Sequence, residues 1–307
     1  MNSVNFNEEL QNRITKVETN IMEYLPDEEG YAKTVIEAMN YSFKAGGKRL
    51  RPLLMIESHI LCGGDGRLVS PFMAALEMIH TYSLVHDDLP AMDNGELRRG
   101  KPTTWKQFGD GMAVLAGDGL LNYAMEVACL SFDLAESELD YEMISRALRT
   151  MFFHSGIYGM IGGQCADIEA EDKDNKLNEI KEAERLLYIH ENKTAALIRS
   201  ALTVGAILAG ATSEVVGLLD RVGFCVGIAF QIQDDILDVT STDEELGKPV
   251  GSDARNEKTT YVSLYGIDAA KEEVATLSKE ALDILQSFNH RNEFLENLIE
   301  WLIDRNK

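Results

Sequence analysis

The stretch Val215–Leu237, VVGLLDRVGFCVGIAFQIQDDIL, decides the fold. Up to Phe230 it is apolar on nearly every side of a helix, and a helix of that kind is surrounded by other helices. Its end turns acidic, as Gln233-Asp234-Asp235-Ile236-Leu237-Asp238. Outward from it, apolar residues recur at three- and four-residue steps nearly everywhere. Phe6, Leu10, Ile14, Val17, Ile21 and Leu25 form one such series, stopped by Pro26. The spacing predicts helices over 31–43, from about Pro52, from about Pro71 through His86-Asp87-Asp88-Leu89-Pro90-Ala91-Met92-Asp93, and over 110–132, 138–160, 178–190, 193–210 and 214–239. Two more carry Val274 to Phe288 and Phe294 to Leu302. No strand alternation or hairpin turn stands out. One all-α bundle over residues 1–307, with a central helix, is expected.

The chain has 29 Lys+Arg against 51 Asp+Glu, a net charge of −22. That argues against nucleic acid, whose phosphates attract a basic face. Cys62, Cys129, Cys165 and Cys225 are widely separated, with no CxxC pair. A reduced, cytoplasmic protein fits this better than a disulfide framework or a zinc site. Residues 1–10 carry no signal-peptide pattern. The apolar stretch 201–211 is far short of the ~20 residues that span a bilayer, so no membrane span is expected. The acidic run Asp167–Glu184 reads as a solvated loop or helix start.

Asp234 and Asp238 are four apart, about 40° around a helix and ~6 Å along it, with Asp235 beside them. Carboxylates so close repel one another unless a cation intervenes. Two could share Mg²⁺, which takes oxygen ligands and keeps sites for phosphate. The alternative is a solvated acidic helix end, disfavoured because Phe230, Ile232, Ile236 and Leu237 surround the cluster.

In the first cluster, Asp87 and Asp93 are six apart, ~120° around an ideal helix. Pro90 lies between them and removes a helix hydrogen bond. The helix is therefore expected to be unwound between Leu89 and Met92, returning Asp93 toward Asp87. His80 precedes Asp87 by seven residues and shares its face; a satisfied core histidine is the plain alternative.

In this acidic chain, basic residues concentrate in Gly46-Gly47-Lys48-Arg49-Leu50-Arg51-Pro52 and Arg98-Arg99-Gly100-Lys101-Pro102. Each is a surface charge run or an oxyanion clamp. With the carboxylates, they fit a site for two diphosphates.

Those motifs, with Gly162-Gly163-Gln164 and Asp167, Lys193-Thr194, Phe230-Gln231, Leu246-Gly247-Lys248 and Lys258-Thr259-Thr260-Tyr261, resemble the trans-isoprenyl diphosphate synthases over nearly the whole chain. Within that family they are most similar to bacterial farnesyl diphosphate synthases. The resemblance implies a helical bundle of the isoprenoid synthase type with a central cavity, and a homodimer. It implies head-to-tail condensation of isopentenyl diphosphate with an allylic diphosphate, using three Mg²⁺ ions. Asp87 and Asp93 would ligate metal on one side and Asp234 opposite, with Asp88, Asp235 and Asp238 as ligands or water-mediated neighbours. Arg98, Lys193, Lys248 and Lys258 would hold the allylic diphosphate; Lys48, Arg51, His80 and Arg99 would hold isopentenyl diphosphate. Thr194, Gln231 and Lys193 would serve the reacting centre. Otherwise Lys193 is an ordinary helix face, Gln231 a bonded buried amide, and Lys248 and Lys258 surface lysines.

An aromatic at Tyr82, five before Asp87, with two extra residues inside the first motif, resembles the bacterial fifteen-carbon type. Ser83, which lies more directly beneath Asp87, is small, so a twenty-carbon product is the alternative. Asn94-Gly95-Glu96 and Trp105 depart from the family pattern, which is more acidic at the first and often His at the second. A terpene cyclase would lack the second aspartate cluster and the second clamp. A regulatory subunit of the same fold would lack carboxylates.

Overall fold

The computed structural model describes residues 3–171, 181–240 and 258–303. Among them run α1 Ser3–Met22, α2 Lys33–Phe43, α3 Leu50–Leu61, α4 Val69–Asp87, α5 Thr104–Phe108, α6 Asp110–Cys129, α7 Glu138–Ser155, α8 Met160–Glu171, α9 Glu182–Ile189, α10 Ala196–Leu208, α11 Ser213–Thr240, α12 Tyr261–Tyr265, α13 Ile267–Gln286 and α14 Glu293–Ile303. The chain is all-α, as its periodicity predicts. Among the described residues the one exception is a hairpin, β1 Leu97–Arg98 with β2 Lys101–Pro102. Its turn residues Arg99 and Gly100 have φ of 54° and 75°, the positive pair that a two-residue hairpin turn requires. Strands of two residues carry no alternation to read.

The most enclosed helix is α10, not α11. Every α10 residue except Arg199 is buried, against α3, α7 and α11. Its Ala, Gly and Thr residues let neighbours approach from all sides. α11 keeps Glu214, Gly217 and Arg221 on an exposed face. By length and composition, 110–134 and Ser213–Thr240 could each cross a membrane, and both are partly buried in the bundle. Isolated polar residues interrupt an apolar run without abolishing the helix's mean hydropathy, so counting uninterrupted runs overlooked both. The expected helix over 138–160 breaks at Gly156, and residues 167–171 belong to α8 rather than to a loop. Buried apolar residues from Phe6 to Ile303 form one contiguous core.

Candidate active site

A cavity of about 480 Å³ opens between α4, α8 and the start of α10. α4 lines it with His80, Tyr82, Ser83 and Asp87, α8 with Met160, Gln164 and Ile168. Arg51 reaches it from α3, and Lys193 and Thr194 reach it from a π-helical turn, His190–Ala195.

The first acidic cluster does not continue α4. The helix ends at Asp87, earlier than expected, and three turns follow. Leu89 N–H donates to His86 O (3.1 Å), Met92 N–H to Leu89 O (2.9 Å), and Asp93 N–H back to Asp87 O (2.9 Å). Pro90 has no N–H to continue the ladder. The unwinding brings Asp93 back to Asp87. Gln164 Nε2 donates to Asp87 Oδ1 (2.9 Å). Burial pushes the Asp87 carboxyl up to about 6; Lys193 and Arg98 oppose this, and Asp93 and Asp88 add to it.

Asp88 has a different employment. It is buried, and both its oxygens accept from Arg98, at 2.7 Å from Nε and 2.8 Å from Nη2. That bond raises the Arg98 guanidinium above its ordinary value despite burial. The resemblance offered Asp88 as a metal ligand or a water-mediated neighbour; in the structure both its oxygens are bonded to Arg98. The departure at Asn94-Gly95-Glu96 also has a use. Gly95 O accepts from Thr103 Oγ1 (2.7 Å) and Trp105 Nε1 (2.8 Å), fastening the loop after the cluster.

Lys193 does not begin a separate helix. The π turn joins α9 to α10 without a break, and such turns occur often at functional sites. Lys193 Nζ bonds Asp167 of α8. Thr194 Oγ1 donates to Gln231 Oε1 of α11 at 2.6 Å. Thr194 thus spends its proton on Gln231 and keeps its lone pairs. α8 approaches so closely that a Cβ at Gly163 would stand 2.1 Å from Lys193 N. His190, at the base of the turn, is buried, and burial pushes its imidazole down to about 4 against the pull of Asp167.

The second cluster keeps helical register within α11. Asp234 is half-buried; Asp235 and Asp238 are buried. Asp235 Oδ2 accepts from Tyr261 N–H (2.8 Å), tying α11 to the start of α12. Lys248 lies outside the described residues. Lys258 pairs with Glu171 (2.9 Å). Burial lowers its ammonium, but Glu171, Asp167 and Asp93 raise it above its ordinary value.

At the cationic end, Arg51 and His80 line the cavity, while Lys48 and Arg99 do not. Arg51 Nη1 lies 3.2 Å from His80 Nε2, and Arg99 Nη1 bonds Gly46 O. Burial, then Arg51 and Arg99, hold His80 well below its ordinary value, so it serves as a neutral imidazole rather than a cation. Burial also lowers Arg51, whose Nε is buried without a hydrogen-bond partner. Exposed Lys48 sits 5.5 Å over the Trp301 ring. Tyr82 is buried, its hydroxyl has no partner, and its ring meets His86 edge-on at 5.9 Å. Burial, then the Asp87 charge, push its phenol up to about 12.

No site role was foreseen for Gln164, Asp167 and Glu171. Their spacing of three and four residues puts them on one helix face, a signal obscured by reading residues 167–184 as one acidic run.

A profile of the polyprenyl synthetase family matches residues 32–301. The farnesyl diphosphate synthase of Geobacillus stearothermophilus is 44% identical over 264 residues, 84% of each chain. The chloroplastic geranylgeranyl pyrophosphate synthase of Capsicum annuum is 45% identical over 83% of this chain and 67% of its own. The crystal structure of an FPP/GFPP synthase from Zymomonas mobilis superposes with a TM-score of 0.84 at 31% identity, covering 98% of this chain and 99% of the other.

Proposed function

The chain belongs to the polyprenyl synthetase family, and from that premise we propose that it is a farnesyl diphosphate synthase. It joins isopentenyl diphosphate head-to-tail to dimethylallyl and then geranyl diphosphate. The observation that carries this reading is the single cavity that gathers Asp87, the Lys193–Thr194 pair, Arg51 and Tyr82.

The donors fit magnesium. They are carboxylates, and Asp87 is pushed up by burial, a cost that a cation relieves. Among the described residues no three ligand groups converge into a cage. Each ion would take one or two protein oxygens and complete its shell with diphosphate and water, as Mg²⁺ commonly does. Asp87 and Asp93 would hold two ions and Asp234 a third, with Asp238 beside it; Asp88 and Asp235 act through Arg98 and the Tyr261 amide. When bound, the metal neutralises charge building on the departing diphosphate.

The chain's own residues do the rest. Arg98, fixed by Asp88, and Lys193, fixed by Asp167, are oriented cations for the allylic diphosphate, joined by Lys258 and Lys248. Lys48, Arg51, His80 and Arg99 orient isopentenyl diphosphate. The allylic C1–O bond breaks, and lone pairs of Thr194 and Gln231 face the resulting cation. The isopentenyl double bond attacks C1 through its C4, and a C2 proton leaves to the released diphosphate. Tyr82 blocks the cavity beneath Asp87 and stops growth at fifteen carbons, with Ser83 beside it.

Incubating the protein with isopentenyl and geranyl diphosphates and Mg²⁺ tests this. Farnesyl diphosphate, lost with EDTA, is expected. A twenty-carbon diphosphate, a released hydrocarbon or no product would favour respectively a geranylgeranyl synthase, a cyclase or a regulatory subunit. A cytoplasmic homodimer is part of the proposal. Val114, Leu115 and Met125 of α6 and Leu139 and Phe153 of α7 are exposed apolar residues for a partner to cover. Light scattering should give twice the 34.1 kDa of one chain.

A further inference from the structure

Of the three cations between Gly46 and Pro52, Arg51 lines the cavity, Lys48 is exposed over Trp301, and Arg49 is turned into the bundle. Its side chain is 1% exposed. Its Nη1 donates to Glu77 Oε1 (2.7 Å), its Nη2 to Phe43 O at the end of α2 (2.7 Å), and its Nε to Glu18 Oε1 (3.2 Å). Glu77, on α4, is 4% exposed in that pair. The guanidinium also lies 5.2 Å over the Phe43 ring.

The backbone around it is strained. Arg49 has φ 47° and ψ 34°, a left-handed conformation that a bulky residue adopts only when its surroundings force it. Gly46 and Gly47 before it have φ of 95° and 136°. A Cβ at Gly47 would stand 2.7 Å from the Arg99 guanidinium, which grips the loop from the hairpin. The loop is therefore held from two sides, by Arg99 above and by Arg49 below. Lys48 and Arg51 project from the same turn, and α3 starts at Leu50, with Arg49 O accepting from Leu53 N–H (3.2 Å). Glu77 is also the carboxylate whose charge favours the charged forms of Arg51 and Arg99.

We propose that the Arg49–Glu77 pair is the positioning device of the isopentenyl diphosphate site. It clamps the loop in its left-handed turn so that Lys48 and Arg51 converge on the diphosphate, while Glu77 balances the arginines there. Neither residue touches substrate. The inference rests on the assignment of Lys48 and Arg51 given above.

The test compares KM for isopentenyl diphosphate with KM for geranyl diphosphate. Arg51→Gln is the control on the assignment and should raise the first at least about tenfold, the loss expected from one strong charge-assisted contact. If it does not, the assignment itself fails. Arg49→Met with Glu77→Leu replaces the buried pair by apolar side chains, a change that often leaves folding intact. It should raise KM for isopentenyl diphosphate by a similar factor and leave KM for geranyl diphosphate within about twofold. Arg49→Lys keeps the charge but cannot bridge Glu77, Phe43 O and Glu18 together, and should give an intermediate rise. If the double variant does not fold, isosteric Glu77→Gln carries the same comparison. An Arg51→Gln effect beside an unchanged isopentenyl diphosphate KM in the pair variants would overturn the proposal. So would equal rises for both substrates, since general loosening of the bundle produces that.

Discussion

The two aspartate clusters, which the proposed function assigns to one site, are built by opposite means. α11 carries Asp234 and Asp238 in unbroken register to Thr240. α4 stops at Asp87, and a loop folds Asp93 back onto the helix end. A regular helix gives carboxylates four apart one direction at no conformational expense. Six apart, they need the helix to end, and the lost ladder is replaced by turn bonds such as Asp93 N–H to Asp87 O. The clusters also share a division of labour. In each adjacent Asp pair, the second residue braces the scaffold. Asp88 grips Arg98, and Asp235 accepts the Tyr261 amide. Adjacent positions on a helix point about 100° apart, so both residues of a pair cannot face the same ions.

That comparison breaks most readily at the carboxylates facing the substrate. Asp87→Ala and Asp234→Ala should each lower kcat on the order of 10²–10³-fold or more, the scale of a lost group aimed at developing charge. The braces should cost less. Asp88→Asn and Asp235→Asn are expected to lose about 10–100-fold, the range for residues that orient ligands rather than bind the reacting group. Steady-state kcat for the four variants ranks them. If Asp88→Asn falls as far as Asp87→Ala, the division of labour is wrong.

A smaller effect on rate, but a change of product, is expected beneath the first cluster. Tyr82→Ala should leave turnover within a few-fold and extend the product from fifteen to twenty carbons by mass spectrometry. The ring sits a turn before Asp87, and its removal deepens the cavity. An unchanged product would shift the stop elsewhere along α4. The α11 side supplies no such floor. The residue five before Asp234 is Ala229, and Gln231, three before it, is bonded to Thr194.

Much of this was legible in the residues because side-chain period is a local property. The helices announced themselves at three- and four-residue steps, and Pro90 announced the distortion of the first cluster. What the sequence hid depends on partners distant in the chain. The π turn that carries Lys193 and Thr194 differs from an α turn only in its hydrogen-bond pattern. Which helix is central was misread because α10 achieves enclosure with small residues, while α11 only looks more apolar. Asp88 and Arg98 stand ten residues apart, and nothing in their spacing says that they meet. Gly163 reads as a helix breaker until α8 is seen to touch Lys193 N. The basic loop looked like three equal cations, and its buried pairing with Glu77 separates Arg49 from Lys48 and Arg51.

The subtlest expected effect concerns the scaffold around the π turn. His190 is the buried first residue of that turn, and His154 lies 4.0 Å from Asp220. Burial holds both imidazoles near 4; Arg199 lowers His154 further, while Asp220 opposes that, as Asp167 does for His190. A histidine depressed in the folded state binds protons more readily when unfolded. Its neutral form therefore stabilises the fold fully above about pH 6.5, and that stability is lost as pH falls from 6.5 to 4. Across the window the loss is up to about 3 kcal/mol for each group. Urea midpoints measured at pH 7 and pH 5 should fall accordingly, and His190→Gln should flatten part of the dependence. Because the π turn belongs to neither cluster, its loosening should raise KM for geranyl diphosphate, through Lys193, before it raises KM for isopentenyl diphosphate. A His190→Gln midpoint that falls between pH 7 and pH 5 as far as the wild type's would mean that the fold does not hold His190 neutral.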